Sequence, residues 1–173
     1  MVAAIVANQG TRERDLPGSP AFADFLANEL VPRVRADYHA GLTPAQTLVT
    51  GSSFGGLAST FAALHHSDVI GLVLSNSGSY QYRLGALDHD VSAYSEDSML
   101  LHDFVTSPKL PIRFYMDCGV FEDALRDHNR HLRDVLLAKG YDVTYREFSG
   151  SHDYNNWKRT IADGLIALLG TPH

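Results

Sequence analysis

The sequence predicts an α/β domain in which a mostly parallel sheet is flanked by helices. Short apolar runs rich in β-branched residues alternate with longer segments of helical period, which is typical of βαβ units. Several of the short runs are apolar throughout, as expected for strands that are covered on both faces. At 173 residues and 45% hydrophobic composition, the chain has the size and the apolar content of one domain with a substantial core. We therefore expect residues 1–173 to form a single domain.

Five apolar runs are predicted to be strands, at residues 2–6, 47–50, 69–74, 112–117 and 143–148. The first run has no basic segment before it and is interrupted by Asn8, well short of the length of a membrane span. We interpret it as a buried strand. No export signal is visible, so a cytoplasmic location is the simplest expectation.

A helix is predicted to follow the first strand after a polar stretch. Ser19 and Pro20 suit the N-cap and the first turn, and an amphipathic run continues from there to Tyr38. Pro32 lies inside this run, where it removes a backbone donor and clashes with the preceding turn. We expect a kink or a break near Leu30.

Three further helices are predicted, and one long segment is not assigned to either class. Residues 54–65 are rich in Gly, Ala and Leu, as in a helix that packs closely on a sheet. Residues 123–139 have helical period and are followed by a glycine stop, and residues 154–169 form a last amphipathic helix. Residues 79–97 are polar and aperiodic, which is typical of a long excursion that shapes a binding site.

The composition argues against several classes of partner. With 20 acidic and 14 basic residues the formal charge is −6, which disfavours attraction to nucleic-acid phosphates or to anionic membranes. A single cysteine, Cys118, rules out an internal disulfide, and no Cys/His group has the spacing of a structural zinc site. We expect neither nucleic acid nor membrane as a partner.

The second predicted strand runs into a G-x-S-x-G pattern and then into a helix, which is the context of a nucleophile elbow. Gly51 and Gly55 are the small residues that such an elbow needs two positions before and after its nucleophile, Ser53, whereas Ser52 would have Phe54 in one of these places. The backbone N–H of Phe54, at the helix N-terminus, would point at a developing oxyanion. A plain glycine-rich turn and a phosphate-binding loop are the alternatives, and the latter lacks its Lys-Ser/Thr ending.

A serine nucleophile needs a histidine base and a carboxylic acid. In folds with this kind of elbow, the acid follows the serine in the chain and the histidine follows the acid. Of the nine histidines, His152 fits best because it lies in a short loop between the last strand and the last helix. The loop after the preceding strand offers Glu122 and Asp123, since Asp117 still belongs to the strand. Asp123 is equally suited to cap the next helix, with Glu122 beside it, so the residues alone leave the acid unresolved.

With these residues in place, the sequence resembles the esterase family that contains the enterochelin (ferric siderophore) esterases and, more distantly, feruloyl esterases and mycolyltransferases. The resemblance covers nearly the whole chain. The segments that carry it are RERDL from Arg12, FADFLANELVP from Phe22, GSSFGGLAS from Gly51, LSNSGSY from Leu74 and FSGSHDYNNW from Phe148.

The resemblance implies an α/β-hydrolase-type fold and ester hydrolysis through an acyl-serine intermediate, with no metal or organic cofactor. Placing Gly119 on the glycine that follows the penultimate strand in relatives puts Glu122 in the position of the triad acid, so that Ser53, His152 and Glu122 form the implied triad. The family fold also has strands before the elbow strand and takes a second oxyanion donor from a loop after one of them. Only one strand precedes the elbow here, so we expect the N-terminal strands to be lacking and the exposed sheet edge to favour a homo-oligomer.

Four residues flank the expected site in sequence and could stack on and charge-pair with catecholates: Tyr80, Tyr82, Arg83 and Trp157. They favour a small-molecule ester substrate such as a siderophore lactone, although each could equally be a core or rim residue. A feruloyl or general acyl esterase and an acyltransferase are alternatives. A third is a truncated, non-catalytic hydrolase that serves as an interaction module.

Overall fold

A four-stranded parallel sheet forms the centre of the computed structural model, which describes residues 1–7, 10–82 and 98–170, without the side chain of Met99. The strands are β1 (Leu48–Ser52), β2 (Leu72–Asn76), β3 (Arg113–Gly119) and β4 (Asp142–Phe148). They lie in the order β1-β2-β3-β4, and each neighbouring pair is parallel. The predicted α/β class with a parallel sheet is confirmed.

The pairing register brings the carboxyl ends of the strands to one edge of the sheet. Ser52 at the end of β1 pairs with Asn76, and Asn76 pairs with Asp117. At the far side, Gly119 pairs with Phe148. The loops that leave the four strands therefore start side by side, which is where α/β folds place their ligand and catalytic sites.

The described helices and turns are, in chain order, α1 (Arg12–Asp15), α2 (Pro20–Asp24), a π-helix (Phe25–Leu30), α3 (Val31–Tyr38), a 3-10 turn (Pro44–Gln46), α4 (Phe54–His65), α5 (Met99–Thr106), α6 (Asp123–Ala138) and α7 (Tyr154–Leu169). The predicted bounds of α4 and α7 match the structure, and α6 ends one residue earlier than predicted. The sequence did not indicate α1 and α5.

The helices cover both faces of the sheet. Helices α2, α4, α5 and α6 lie over the larger apolar cluster, and α7 packs against β2 and β3 from the other face. Successive side chains of β2 alternate between the faces, as a strand requires: Val73 belongs to the larger cluster, Leu72 and Leu74 to the smaller one. All five residues of β2 are buried, which suits the apolar run with which the strand begins, from Leu72 to Leu74.

The helix predicted from Pro20 to Tyr38 is present, but Pro32 changes its hydrogen bonding. The six residues before Val31 form a π-helix, and the Val31 N–H donates to the carbonyl of Leu26, five residues back. A π-helical turn is wider than an α-helical one, which eases the clash of a proline ring with the preceding turn. The disturbance expected near Leu30 therefore takes the form of a change of helix type and not of a break.

The prediction that residues 2–6 form a strand is wrong. Residues 1–7 are exposed and make no ladder, and Met1 and Ile5 are 95% and 94% exposed. A strand is stabilised by its cross-strand pairs, and no described strand lies along the outer edge of β1 to supply them. Within the described residues, no helix combines the length and the apolar character needed to cross a membrane.

Candidate active site

The turn from β1 to α4 holds Ser53 in a backbone conformation that non-glycine residues seldom adopt, with φ 58° and ψ −122°. Two hydrogen bonds fix this turn from the neighbouring strand and loop. The Ser53 N–H donates to the carbonyl of Asn76 at 3.0 Å, and the Ser79 N–H donates to the carbonyl of Ser53 at 3.1 Å. Strain of this kind persists only where the surroundings enforce it, and it places the Ser53 side chain at the sheet edge.

Close packing of the elbow depends on Gly51. A Cβ at Gly51 would lie 2.5 Å from the carbonyl carbon of Gly55, closer than backbone atoms can approach. A Cβ at Gly55 would meet no described atom within 4 Å. The expected need for a small residue thus holds at Gly51, where α4 packs against the strand. At Gly55, no described atom is close enough to exclude a Cβ.

The N-terminus of α4 supplies a candidate oxyanion donor. The N–H groups of Gly56 and Leu57 both donate to the carbonyl of Ser53, at 3.0 and 3.2 Å. The Phe54 N–H makes no hydrogen bond within the described part of the chain. Among the described residues nothing occupies it, so it is a candidate to receive an anionic oxygen next to Ser53, and the helix dipole favours negative charge there.

The hydroxyl of Ser53 contacts a second serine. Its Oγ lies 3.2 Å from the Oγ of Ser79, which is 4% exposed. Among the described residues, no hydrogen bond joins Ser53 to His152. The Ser53 hydroxyl is thus paired with a neighbouring hydroxyl and not with an imidazole.

The carboxylate of Glu122 holds the imidazole of His152. Glu122 Oε2 lies 2.7 Å from His152 Nδ1, across 30 positions of sequence. The other oxygen, Oε1, accepts from the N–H of Gly119 and from the hydroxyl of Ser77, both at 2.7 Å. Asp123 is instead the first residue of α6, at φ 37°. Of the two carboxylates left open by the sequence, Glu122 is the one that the fold brings to the histidine.

The environment of Glu122 favours its ionised form. Burial by itself raises the pKa of this carboxyl group. The hydrogen bonds from His152, Ser77 and Gly119 outweigh burial, so the pKa lies below its ordinary value. A carboxylate that is 1% exposed and still charged at neutral pH can orient an imidazole and stabilise its protonated form.

Two loops are tied together around this pair. The Phe121 N–H donates to the carbonyl of Gly150 at 3.1 Å, and the Val120 N–H donates to the carbonyl of Phe148 at 2.9 Å. After the loop, Asp153 caps α7 by accepting from the backbone of its first turn. The loop of Glu122 and the loop of His152 therefore keep a fixed mutual position.

Ser77 and Trp157 complete the contacts of the pair. The indole N–H of Trp157 donates to Ser77 Oγ at 2.9 Å, and its ring lies 4.8 Å from the His152 ring at 88°. Sequence reasoning missed Ser77, because its partner Glu122 is 45 positions away and no local pattern marks the contact. Trp157, proposed as a substrate contact, lies against the acid–base pair.

The other expected substrate residues are placed differently. Tyr80 is 2% exposed, and its hydroxyl is hydrogen bonded to Ser75 and Thr60. The structure thus corrects the expectation of substrate binding at Tyr80, because a ring buried in the core has no free surface to offer. Tyr82 contacts the ring of Phe54 edge to face at 5.5 Å, and Arg83 lies outside the described residues.

Arg12 lies beside the elbow, which the sequence did not indicate. Its guanidinium carbon is 4.8 Å from the centre of the Phe54 ring, a cation–π distance. Its side chain is 43% exposed and has one described ion pair, with Glu13 at 3.7 Å. A partly exposed guanidinium thus borders the site.

A second buried carboxyl group lies behind the site. Asp117 is 1% exposed and accepts two hydrogen bonds from Asn76 Nδ2, each at 2.9 Å. Burial raises the pKa of Asp117 to about 6, against the lowering effect of Asn76 and Thr160. Within the described ranges, no cluster of three or more His, Cys, Asp or Glu side chains is arranged to hold a metal ion.

Comparison with known proteins gives a consistent result. The family model described as "Putative esterase" matches residues 4–168. The iron(III) enterobactin esterase of Dickeya dadantii is 31% identical over 163 residues, which are 92% of this chain and 38% of that protein. The acetyl esterase of Caldicellulosiruptor saccharolyticus is 26% identical over 167 residues, which are 83% of this chain and 62% of that protein.

A solved structure supports the same relationship. The enterobactin esterase of Shigella flexneri, crystallised in the presence of 2,3-dihydroxy-N-benzoyl-glycine, superposes with a TM-score of 0.81 at 29% identity. The match covers 93% of this chain and 41% of that chain. The chain thus spans about two fifths of the length of the enterobactin esterases that it matches.

Proposed function

Because this chain belongs to the family described as "Putative esterase", we propose that it is a serine-type carboxylic-ester hydrolase of the α/β-hydrolase fold. Ser53 is the nucleophile, His152 the general base and Glu122 the acid of the triad. The observation that carries the proposal is the 2.7 Å contact between Glu122 and His152 at the same sheet edge as the strained Ser53 turn. A buried carboxylate and a loop histidine have no structural need to meet beside such a turn.

The geometry supports the following reaction. Ser53 Oγ attacks the ester carbonyl and gives its proton to Nε2 of His152, while the Nδ1–H stays on Glu122 and fixes the tautomer. The carbonyl oxygen becomes an oxyanion that accepts from the Phe54 N–H. When the intermediate collapses, the alcohol leaves with the proton from Nε2 and the acyl group stays on Ser53. Water, deprotonated by Nε2, then attacks the acyl-serine, and Ser53 Oγ leaves with that proton.

The proposed reaction requires one adjustment at the nucleophile. Ser53 Oγ is hydrogen bonded to Ser79 in the structure and has to turn toward His152. Catalytic hydrogen bonds in ligand-free enzymes are often long or misaligned and tighten when substrate binds. Rotation about the Cα–Cβ bond of Ser53 redirects its hydroxyl away from Ser79.

We further propose that the substrate is an ester of an aromatic, anionic acyl group such as a catecholate. The relatives named enterobactin esterases and the positions of Arg12, Phe54 and Tyr82 around the elbow support this class. A planar guanidinium suits bidentate contact with catecholate oxygens, and the rings suit stacking. The acetyl esterase relative favours a small neutral acyl group as the alternative.

Labelling with a fluorophosphonate probe tests the reaction class. We expect mass spectrometry to locate the adduct on Ser53 and the Ser53→Ala variant to remain unlabelled. The neighbouring Ser52→Ala variant is the matched control and is expected to label, because Ser52 belongs to β1. A folded protein that does not label, or one that labels at Ser52, would contradict the proposal.

Paired substrates test the acyl group. We expect a 2,3-dihydroxybenzoyl ester to be hydrolysed with a higher kcat/KM than an acetyl ester of the same alcohol. Arg12→Gln is expected to remove most of that preference, whereas Arg14→Gln should retain it because Arg14 is paired with Asp15 at 2.7 Å. Equal kcat/KM values for both esters in the unmodified protein would remove the catecholate assignment and favour a general acyl esterase.

A further inference from the structure

We propose that Trp157 and Ser77 are positioning residues that set the orientation of the acid–base pair through a directed chain of hydrogen bonds. The chain runs from the indole N–H of Trp157 to Ser77 Oγ, and from the Ser77 hydroxyl to Glu122 Oε1. Glu122 Oε2 then remains for Nδ1 of His152. The inference rests on the proposed roles of Glu122 and His152 and adds two residues that act through this pair.

Chemistry fixes the direction of this chain. The indole N–H of Trp157 can only donate, so Ser77 Oγ accepts at 2.9 Å. A hydroxyl has one proton, and an ionised carboxylate can only accept, so that proton lies on the 2.7 Å contact with Glu122. Removing the indole N–H frees the Ser77 hydroxyl to turn elsewhere. Ser77 alone therefore does not hold its own orientation.

Glu122 transmits the orientation to the histidine. Its Oε1 receives two donors, the Ser77 hydroxyl and the Gly119 N–H, both at 2.7 Å. With Oε1 occupied, Oε2 is the oxygen that faces His152 and accepts from Nδ1–H. The lone pair of the imidazole then lies on Nε2, which is the form that a general base needs.

The backbone at Ser77 is built for this placement. Ser77 has φ 47°, in the left-handed region, and is fully buried. Its N–H donates to the carbonyl of Asp117 at 2.7 Å, and Asn129 on α6 donates to the carbonyl of Gly78 at 2.8 Å. A non-glycine residue in this conformation needs such enforcement, and these clamps are its source. The result is that the Ser77 side chain points at Glu122.

Trp157 acts on the histidine by a second contact. Its ring lies edge to face with the imidazole of His152 at 4.8 Å and 88°. This packing limits rotation of the imidazole about its side-chain bonds, and the series of hydrogen bonds limits the carboxylate. One side chain of α7 therefore restrains both members of the pair.

The test separates the N–H of Trp157 from its ring. Trp157→Phe keeps a ring against His152 and removes the donor, and Ser77→Ala removes the hydroxyl and keeps Cβ. Each is expected to lower kcat by about three- to tenfold, the effect of one net hydrogen bond, with KM unchanged within about twofold. Because both substitutions break the same series of hydrogen bonds, the double variant should be no slower than the slower single variant.

A pH profile gives a readout that simple loosening of the fold would not move. Without the Ser77 donor, the pKa of Glu122 rises and its charge holds a protonated imidazole more firmly. The acid limb of kcat/KM is therefore expected at higher pH in Ser77→Ala and in Trp157→Phe. The other titratable groups that interact with this carboxylate are Asp117 and Cys118. Ser77→Ala also removes the hydrogen bond between Ser77 and Cys118, so Trp157→Phe, which keeps Ser77, gives the cleaner of the two profiles.

Proton NMR of the resting protein keeps the inference independent of turnover. The Nδ1 proton of His152, on a 2.7 Å bond, is expected far downfield and should broaden or move upfield in either variant. Ser77→Gly, which relieves the positive φ, is a third variant that folds if Ser77→Ala does not. Additive losses in kcat, an unmoved acid limb and an unchanged proton signal would overturn the inference. Failure of the proposed function would appear instead as absence of Ser53 labelling in the unmodified protein.

Discussion

Replacing Ser53 by glycine and by alanine measures the strain stored in the elbow. At φ 58° and ψ −122° a side chain is disfavoured, whereas glycine adopts this region freely. Relief of such strain is worth about 1–3 kcal/mol, and the added chain entropy of glycine offsets about 0.5–1 kcal/mol of it. We expect Ser53→Gly to unfold with a free energy about 1–2 kcal/mol higher than Ser53→Ala.

The pair is matched in its hydrogen bonds. Both variants lose the bond between the hydroxyls of Ser53 and Ser79, and both keep the backbone bonds to Asn76 and Ser79. The difference should appear in the midpoint of urea unfolding at an unchanged m-value, and as a Tm difference of roughly 2–8 °C for a chain of this size. Both variants should be inactive, since neither has the nucleophile.

One result would refute this reasoning. If Ser53→Gly is no more stable than Ser53→Ala, the elbow stores no strain that glycine can relieve, and the backbone of the turn is not as the structure has it. A Ser53→Gly variant that keeps esterase activity would in addition refute the assignment of the nucleophile.

Three further predictions concern the acid, the packing of the elbow and the pH dependence of stability. Glu122→Gln should lower kcat by about 10²–10⁴-fold because its amide oxygen takes the two donors and turns the NH₂ group toward the imidazole, whereas Asp123→Asn should change kcat less than about twofold; equal losses would contradict the triad assignment. Gly51→Ala should lower the free energy of unfolding by at least about 2 kcal/mol because its Cβ would meet the backbone at 2.5 Å, and Gly55→Ala by less than about 1 kcal/mol, as urea titrations would show; similar losses would contradict the packing. The pKa of Asp117 is about 6 in the folded state against an ordinary 3.8, so its contribution to stability is complete below pH 4 and is lost as pH rises to about 6. Asp117→Asn should flatten that part of the curve of unfolding free energy against pH, and an unaltered slope would show that the carboxyl group is not perturbed.

Local patterns in the sequence predicted the turn at Ser53 and the regular elements around it. Residues 54–65 were predicted as a helix and form α4 with those bounds, because glycine and alanine content and the preceding strand are visible within a few positions. Ser53 could be distinguished from Ser52 by the glycines alone. Residues 2–6 misled the same reasoning, since an apolar run becomes a strand only if another strand pairs with it.

Contacts between distant segments could not be read from the sequence. Tyr80 was a candidate for contact with substrate, but its hydroxyl is hydrogen bonded to Ser75 and Thr60 in the core. Arg12 belongs to a segment that carries the family resemblance, and no local pattern indicated its contact. Its guanidinium lies over the ring of Phe54, 42 positions later in the chain. Nothing in the composition of either neighbourhood encodes these meetings, because they depend on how the loops cross the sheet edge.

The sequence by itself determined the α/β class, the position of the proposed nucleophile Ser53 and the loops that carry its proposed acid and base. These features depend on hydrophobic period and turn chemistry, which act over a few residues. Only the tertiary structure decided that Glu122, and not Asp123, contacts His152. The same holds for the hydrogen bonds from Trp157 to Ser77 and from Ser77 to Glu122. The physical reason is that a hydrogen bond depends on distances of about 3 Å between groups, and parallel pairing of β2, β3 and β4 sets those distances for residues 30 to 80 positions apart.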